Sequence, residues 1–246
     1  MKRQFCHVGV LSLICSACVK VVAADSNPLS FRELAGVYYF GDGTGVNCTL
    51  TLAERGTFAF QWRGCLGTYD DNEGQAGIRD GILRIVPKKP NVREGFRGTP
   101  TEFFPIRWDD RLYLVPTNEI VEFCCEVNQG GEPRHGNWGQ FYLRQNDWTK
   151  QATGSPVVPE RWTKFLLGKP ATGKITQLIN KREAWLDVGA KEGILEGMLL
   201  IARDHGKLMF SKVRVKTVEK DRCRIKCEWK DSELAVGQTV SSLFHE

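Results

Sequence analysis

The chain has 246 residues, 41% of them apolar and 26% charged, with a formal charge of +5. Of its 34 basic residues, Lys2, Arg3 and Lys20 fall within the first 24 positions, so the remaining 31 face 29 acidic ones and bulk charge argues against a nucleic-acid partner. The length suits one large domain or two modest ones with a substantial core.

Residues 1–24 read as a secretory signal peptide. Lys2 and Arg3 precede an apolar run over 8–19, and Val22-Ala23-Ala24 offers a cleavage site before Asp25. The run is shorter than the roughly 20 residues a membrane span requires. The expected location is therefore periplasmic or secreted. Lipoprotein anchoring at Cys18 is a secondary reading, because Cys15 stands where a lipoprotein box has leucine. Removal of the leader takes Cys6, Cys15 and Cys18 with it and leaves six cysteines: Cys48, Cys65, Cys124, Cys125, Cys223 and Cys227. An even count in an exported chain favours disulfides. Cys48 with Cys65 is the expected pair, given a bulge at Arg63-Gly64 that turns Cys65 inward. The clusters Cys124-Cys125 and Cys223-x-x-x-Cys227 lack C-x-x-C spacing, so no metal is expected.

The front half, residues 25–146, reads as an antiparallel barrel. A helical turn over 31–36 leads to a strand over 37–40 and a turn at Asp42, Gly43 and Gly45. Cys48, Leu50 and Leu52 then alternate with polar residues, and after Glu54-Arg55-Gly56 the mirror run holds Phe58, Phe60 and Trp62 on one face. The cluster Asp70 to Gly74 reads as a further turn, followed by strands over 75–78 and 81–86. A loop over 87–100 precedes a hairpin around Asp109-Asp110. Thr117 or Asn118 would cap a helix carrying Ile120, Val121, Phe123, Cys124 and Val127, which Gly130-Gly131 ends. A single helix in a strand-rich half suggests a plug or lid on the barrel end. The last strand spans 139–143.

Residues 147–170 read as a linker with a short helix at 160–167, and residues 171–246 as a second domain of short strands. Gly189, Gly193 and Gly197 make a wide turn there, without the following helix that a phosphate cradle needs.

On that glycine pattern, residues 173–243 resemble the small SH3-like β-barrel at the C-terminus of the flagellar assembly protein T family and other envelope proteins. The front half, with Gly41-Asp42-Gly43, Gly45-Val46-Asn47-Cys48 and Trp62-Arg63-Gly64-Cys65-Leu66-Gly67, is similar to an uncharacterised exported bacterial family and is lipocalin-like in strand pattern. These resemblances imply a two-barrel envelope protein and carry over no catalytic residue and no cofactor.

A lipocalin-like barrel implies a pocket for a small apolar ligand, lined by Phe58, Phe60, Trp62 and Leu83, unless those side chains fill the barrel as core. Asp42, Asp70, Asp71 and Glu73 read as turn formers rather than acid-base groups. Lys212, Arg214 and Lys216 alternate with valines, and Arg222, Arg224 and Lys226 alternate with cysteines and isoleucine. If the strands pair, six cations share an outward face that needs acidic neighbours or an anionic envelope polymer to balance it. The expected function is a non-catalytic envelope binding or assembly component whose partner is an envelope protein or such a polymer. A periplasmic hydrolase with its site in the front-domain loops is the alternative.

Overall fold

The computed structural model describes residues 29–43, 45–90, 99–131, 133, 140–203 and 210–244; the segment expected to be a signal peptide, its cysteines and most of the 87–100 loop lie outside the described residues. Ser30 and Glu33 cap α1 (Phe31–Leu34) reciprocally. Glu33 N donates to the Ser30 hydroxyl at 3.4 Å, and Ser30 N donates to the Glu33 carboxylate at 2.8 Å. Eight strands follow: β1 (Gly36–Gly41), β2 (Asn47–Ala53), β3 (Thr57–Gly64), β4 (Gly67–Arg79), β5 (Ile82–Pro87), β6 (Glu102–Trp108), β7 (Arg111–Pro116) and β8 (Tyr142–Arg144). They pair antiparallel in chain order, and β8 returns to β1, closing an up-and-down barrel. Cys48, Leu50 and Leu52 oppose Trp62, Phe60 and Phe58, so the alternation seen in the sequence sets the register. A slip by one residue would turn all six outward.

The chain passes straight through Asp70 to Gly74 as part of the 13-residue β4, where a turn was expected. Each residue has a use in a strand. Asp71 and Glu73 point outward to Lys89 (3.1 Å) and Lys88 (2.7 Å), while Asn72 is buried and donates to Lys89 O at 2.9 Å. A Cβ on Gly74 would lie 2.0 Å from Val86 O, so glycine here lets two backbones approach. The turn falls earlier, at Cys65-Leu66, where Gly67 has φ +113.

A 3-10 turn (Thr117–Glu119) leads into α2 (Ile120–Asn128) without a side-chain cap from Thr117 or Asn118. The helix neither plugs nor lids the barrel. It lies against the outer wall, where Phe123 meets Tyr113 (5.6 Å between ring centroids), Trp108 (6.5 Å) and Phe141 (5.3 Å). All six positions of β7 are consequently buried, Leu112 and Leu114 inside the barrel, Tyr113 and Val115 under the helix.

The segment expected as a linker is packed down. Val157 bridges to Arg107, Trp108 Nε1 donates to Gly154 O at 3.2 Å, and the Asn128 amide holds both Phe165 O and Leu167 N at 2.8 Å. Beyond it, β9 (Thr172–Asn180), β10 (Glu183–Leu186), β11 (Leu199–Arg203), β12 (Phe210–Val218), β13 (Cys223–Cys227) and β14 (Thr239–Ser241) form a second closed antiparallel barrel, in the order β10-β13-β12-β11-β14-β9. A Cβ on Gly189 would lie 2.4 Å from Glu219 O, which explains one member of the glycine triplet.

One apolar cluster runs from the outer wall of the front barrel through Phe123, Cys124 and Cys125 of α2 to Met198, Leu199 and the rear interior around Val213, Val215 and Ile225. A second, separate cluster fills the front barrel. The helix is therefore the seam joining the barrels. Among the described residues, no helix is long and apolar enough to cross a membrane.

Candidate functional site

Phe58, Phe60, Trp62 and Leu83 face the front interior as expected, with exposures of 3, 4, 8 and 0%. They pack there with Tyr38, Leu50, Ile85, Phe103, Leu114 and Tyr142. Side chains from facing strands meet across the middle, which is the filling expected of a small barrel.

No disulfide joins Cys48 to Cys65. Trp62 and Arg63 do flank a register shift, but the strand ends at Gly64 and leaves Cys65 in an exposed turn, while Cys48 points inward. Burial, aided by the Asp70 carboxylate, pushes the Cys48 thiol up to about 12. Burial likewise pushes Cys124, Cys125 and Cys223 up to about 12, and it raises Cys227. Among the described residues no three His, Cys, Asp or Glu side chains gather as metal ligands.

The basic strands do pair, and Arg214 stands directly opposite Lys226. They do not present six outward cations. Lys212 is 5% exposed because α2 covers the start of β12, and its ammonium lies 3.5 Å from Glu126. Arg214 binds Glu122 and Glu228 at 3.0 Å each, Lys226 binds Glu183 at 2.9 Å, and Arg222 binds Glu219 at 2.8 Å while lying 4.2 Å over the Trp185 ring. Lys216 and Arg224 have no ion-pair partner among the described residues. The balancing charge predicted from like-charge pairing thus comes from the chain's own carboxylates, two of them on α2. Burial raises Glu126 to about 6 against the pull of Lys212, and burial lowers Lys212 to about 8.

Cations gather more freely at the end of the front barrel that α1 closes. A cavity of about 440 Å³ is lined there by Arg32, Arg107, Arg111, Arg144 and Lys150 against Glu33, Asp109 and Asp110. Arg107 and Arg111 flank the tight β6-β7 turn, in which Asp109 takes φ +53. Arg144 ends β8, and a 3-10 turn (Gln145–Asp147) carries the chain on to Lys150. Asp147 beneath them is fully buried and fixes both heads, accepting from Arg144 Nε at 2.8 Å, Lys150 Nζ at 2.7 Å and Leu112 N at 3.1 Å. Burial alone would raise the Asp147 carboxyl; the bonds from Arg144 and Lys150 outweigh it and hold the group below its usual value.

Two of the three facing carboxylates are already committed. Glu33 accepts the Ser30 cap and meets Arg107 only at 3.5 Å, and Asp109 accepts from the Thr153 hydroxyl at 2.7 Å. Arg32 is exposed and has no ion-pair partner among the described residues. The five cations span more than a hundred positions in the chain, so local pattern could not assemble the cavity. The single visible signal was Asp109-Asp110 flanked by Arg107 and Arg111. A larger recess of about 700 Å³ lies on the other side of α1, lined by Leu29, Phe31, Ala76 and Ile78 with Arg55 and Asp80 at its edge.

No protein-family model matches this chain, and no curated protein and no solved structure matches it.

Proposed function

We propose that the protein is an exported, non-catalytic binding component of a cell envelope that recognises an acidic envelope polymer through the basal cavity of its front barrel. The observation that carries this reading is the convergence of Arg32, Arg107, Arg144 and Lys150 on one cavity, with the fully buried Arg111 behind them, where Glu33 and Asp109 are partly committed and the single buried Asp147 is shared by Arg144 and Lys150. Arginine at the mouth suits phosphate or carboxylate, because its planar fork matches both geometries. The filled front interior weighs against a small apolar ligand. For the hydrolase alternative, the buried thiols are poor nucleophiles, since the thiolate is the reactive form.

The test is retention on immobilised polyphosphate. Wild type should be held at about 50 mM salt and released steeply as salt shortens the Debye length from about 14 Å. A protein carrying Arg32→Gln and Arg107→Gln should elute much earlier, and one carrying Lys216→Gln and Arg224→Gln should elute with wild type. Failure of wild type to bind, or an equal loss in the second variant, would overturn the proposal.

A further inference from the structure

Resting on that reading, we infer that the acidic polymer is a glycan, whose sugar rings lie along the uncovered wall of the front barrel beside the basal cavity. The wall formed by β6, β7 and β8 is covered by α2, while the wall formed by β1, β2 and β3 is open. Its outward positions form two cross-strand rows, Val37-Thr51-Ala59 and Tyr39-Thr49-Gln61, with Thr57 and Asn47 at the ends. None of these eight side chains carries a formal charge, in a protein where 26% of residues do. Charge resumes only at the margins, with Arg63 on β3 and with Asp71 and Glu73 on β4.

An aromatic pair borders this wall. Trp148 is 42% exposed and meets the Tyr39 ring edge to face, at 5.1 Å between centroids and 69° between planes. The Tyr39 hydroxyl donates to Asn47 Oδ1, which fixes the tyrosine ring as a support for the indole. An aromatic face is electron-rich and attracts the weakly positive C–H groups of a pyranose ring. Hydroxyls and amides on Thr49, Thr51 and Gln61 donate to and accept from sugar hydroxyls without the desolvation cost of ions.

The wall and the cavity adjoin along the chain. Ala35 lines the cavity two residues before Val37, and Lys150 lines it two residues after Trp148. A chain of sugars seated on the wall would therefore bring an acidic substituent within reach of Lys150, Arg144 and Arg32. An uncharged face adjoining a cationic recess is complementary to an acidic glycan.

Affinity electrophoresis in gels containing polygalacturonate, with hydroxyethyl cellulose as the neutral comparison, tests this. Wild type should be retarded by polygalacturonate. Trp148→Ala should weaken that binding about tenfold, as loss of one stacking ring implies. Gln61→Glu, nearly isosteric, should weaken it severalfold by placing a carboxylate against the ligand's own. Toward the neutral polymer, Trp148→Ala should again weaken binding, while Arg32→Gln should not. Thermal melting confirms that both wall variants remain folded. If the two variants bind polygalacturonate as wild type does, the wall is not the sugar site. If wild type is held by polyphosphate and ignores polygalacturonate, the glycan inference fails while anion recognition stands. If it ignores both, both fail.

Discussion

Two regions of this protein concentrate cations, and they treat them in opposite ways. At the seam between the barrels, Lys212 and Arg214 are desolvated and paired with Glu126, Glu122 and Glu228, so their charge is consumed in joining β12 to α2. At the base of the front barrel, Asp147 orients Arg144 and Lys150 from below, and their surplus charge is turned toward a cavity. The seam holds two such cations and the cavity lining five. What differs is which carboxylates the fold delivers, and that decides whether a basic cluster serves cohesion or recognition.

The largest expected effect bears on the seam's apolar half. Phe123 is fully buried at the centre of the shared cluster, so Phe123→Ala should destabilise by about 4 kcal/mol. It also tests the cohesion of the two barrels. Intrinsic fluorescence and far-UV circular dichroism should follow one urea transition in wild type and separate in the variant, and a single shared transition in Phe123→Ala would mean the barrels are not joined chiefly through α2.

The seam's ionic half comes next. Removing Glu126 strands a nearly buried ammonium, so Glu126→Ala should cost about 3 kcal/mol. Pairing Glu126→Leu with Lys212→Met should recover most of it, since a well-packed apolar pair often matches a buried ion pair. A double variant no better than Glu126→Ala would show that the pair, rather than the stranded charge, is what matters.

Acid titration separates the regions by sign, with an effect on the order of 1 kcal/mol for Glu126. Glu126 has a folded value raised to about 6 from 4.5, so the native state holds its proton more tightly. Its contribution is fully present below pH 4.5 and is lost as pH rises through 6. Asp147 has a lowered folded value, so its contribution is present above pH 3.8 and lost as pH falls below it. Urea midpoints measured between about pH 3 and 7 should show both slopes. Glu126→Gln should abolish only the upper one; an unchanged slope there would reassign it to another group.

Much of the fold could be read from residue alternation. The hairpin of Cys48, Leu50 and Leu52 against Phe58, Phe60 and Trp62 has its pairing written in period-2 pattern plus a glycine at φ +80, and both are local signals. Where the reading failed, the deciding contact was remote in sequence. Asp70 to Gly74 has turn composition, yet Lys88, Lys89 and the Val86 carbonyl make it strand. Helix α2 has an amphipathic sequence that does not say which surface it covers. The pairing of the two basic strands followed from their alternation, but the open six-cation face did not, because Glu122 and Glu126, which cover and pair Arg214 and Lys212, lie some ninety residues upstream. The basal cavity depends on five separate elements and could not be assembled without the barrel closing.

The five inward thiols carry a consequence for how the chain must reach its fold. Once packed, Cys48, Cys124, Cys125 and Cys223, with values near 12, present almost no thiolate at neutral pH and are shielded from exchange. In an unfolded chain the same groups would titrate near 9 and react with any disulfide donor. If the chain matures in an oxidising compartment, as the proposed export implies, maturation is a race between barrel closure and oxidation. Closure shelters the five buried thiols and leaves Cys65 exposed, whereas a slow folder would keep all six open to oxidation.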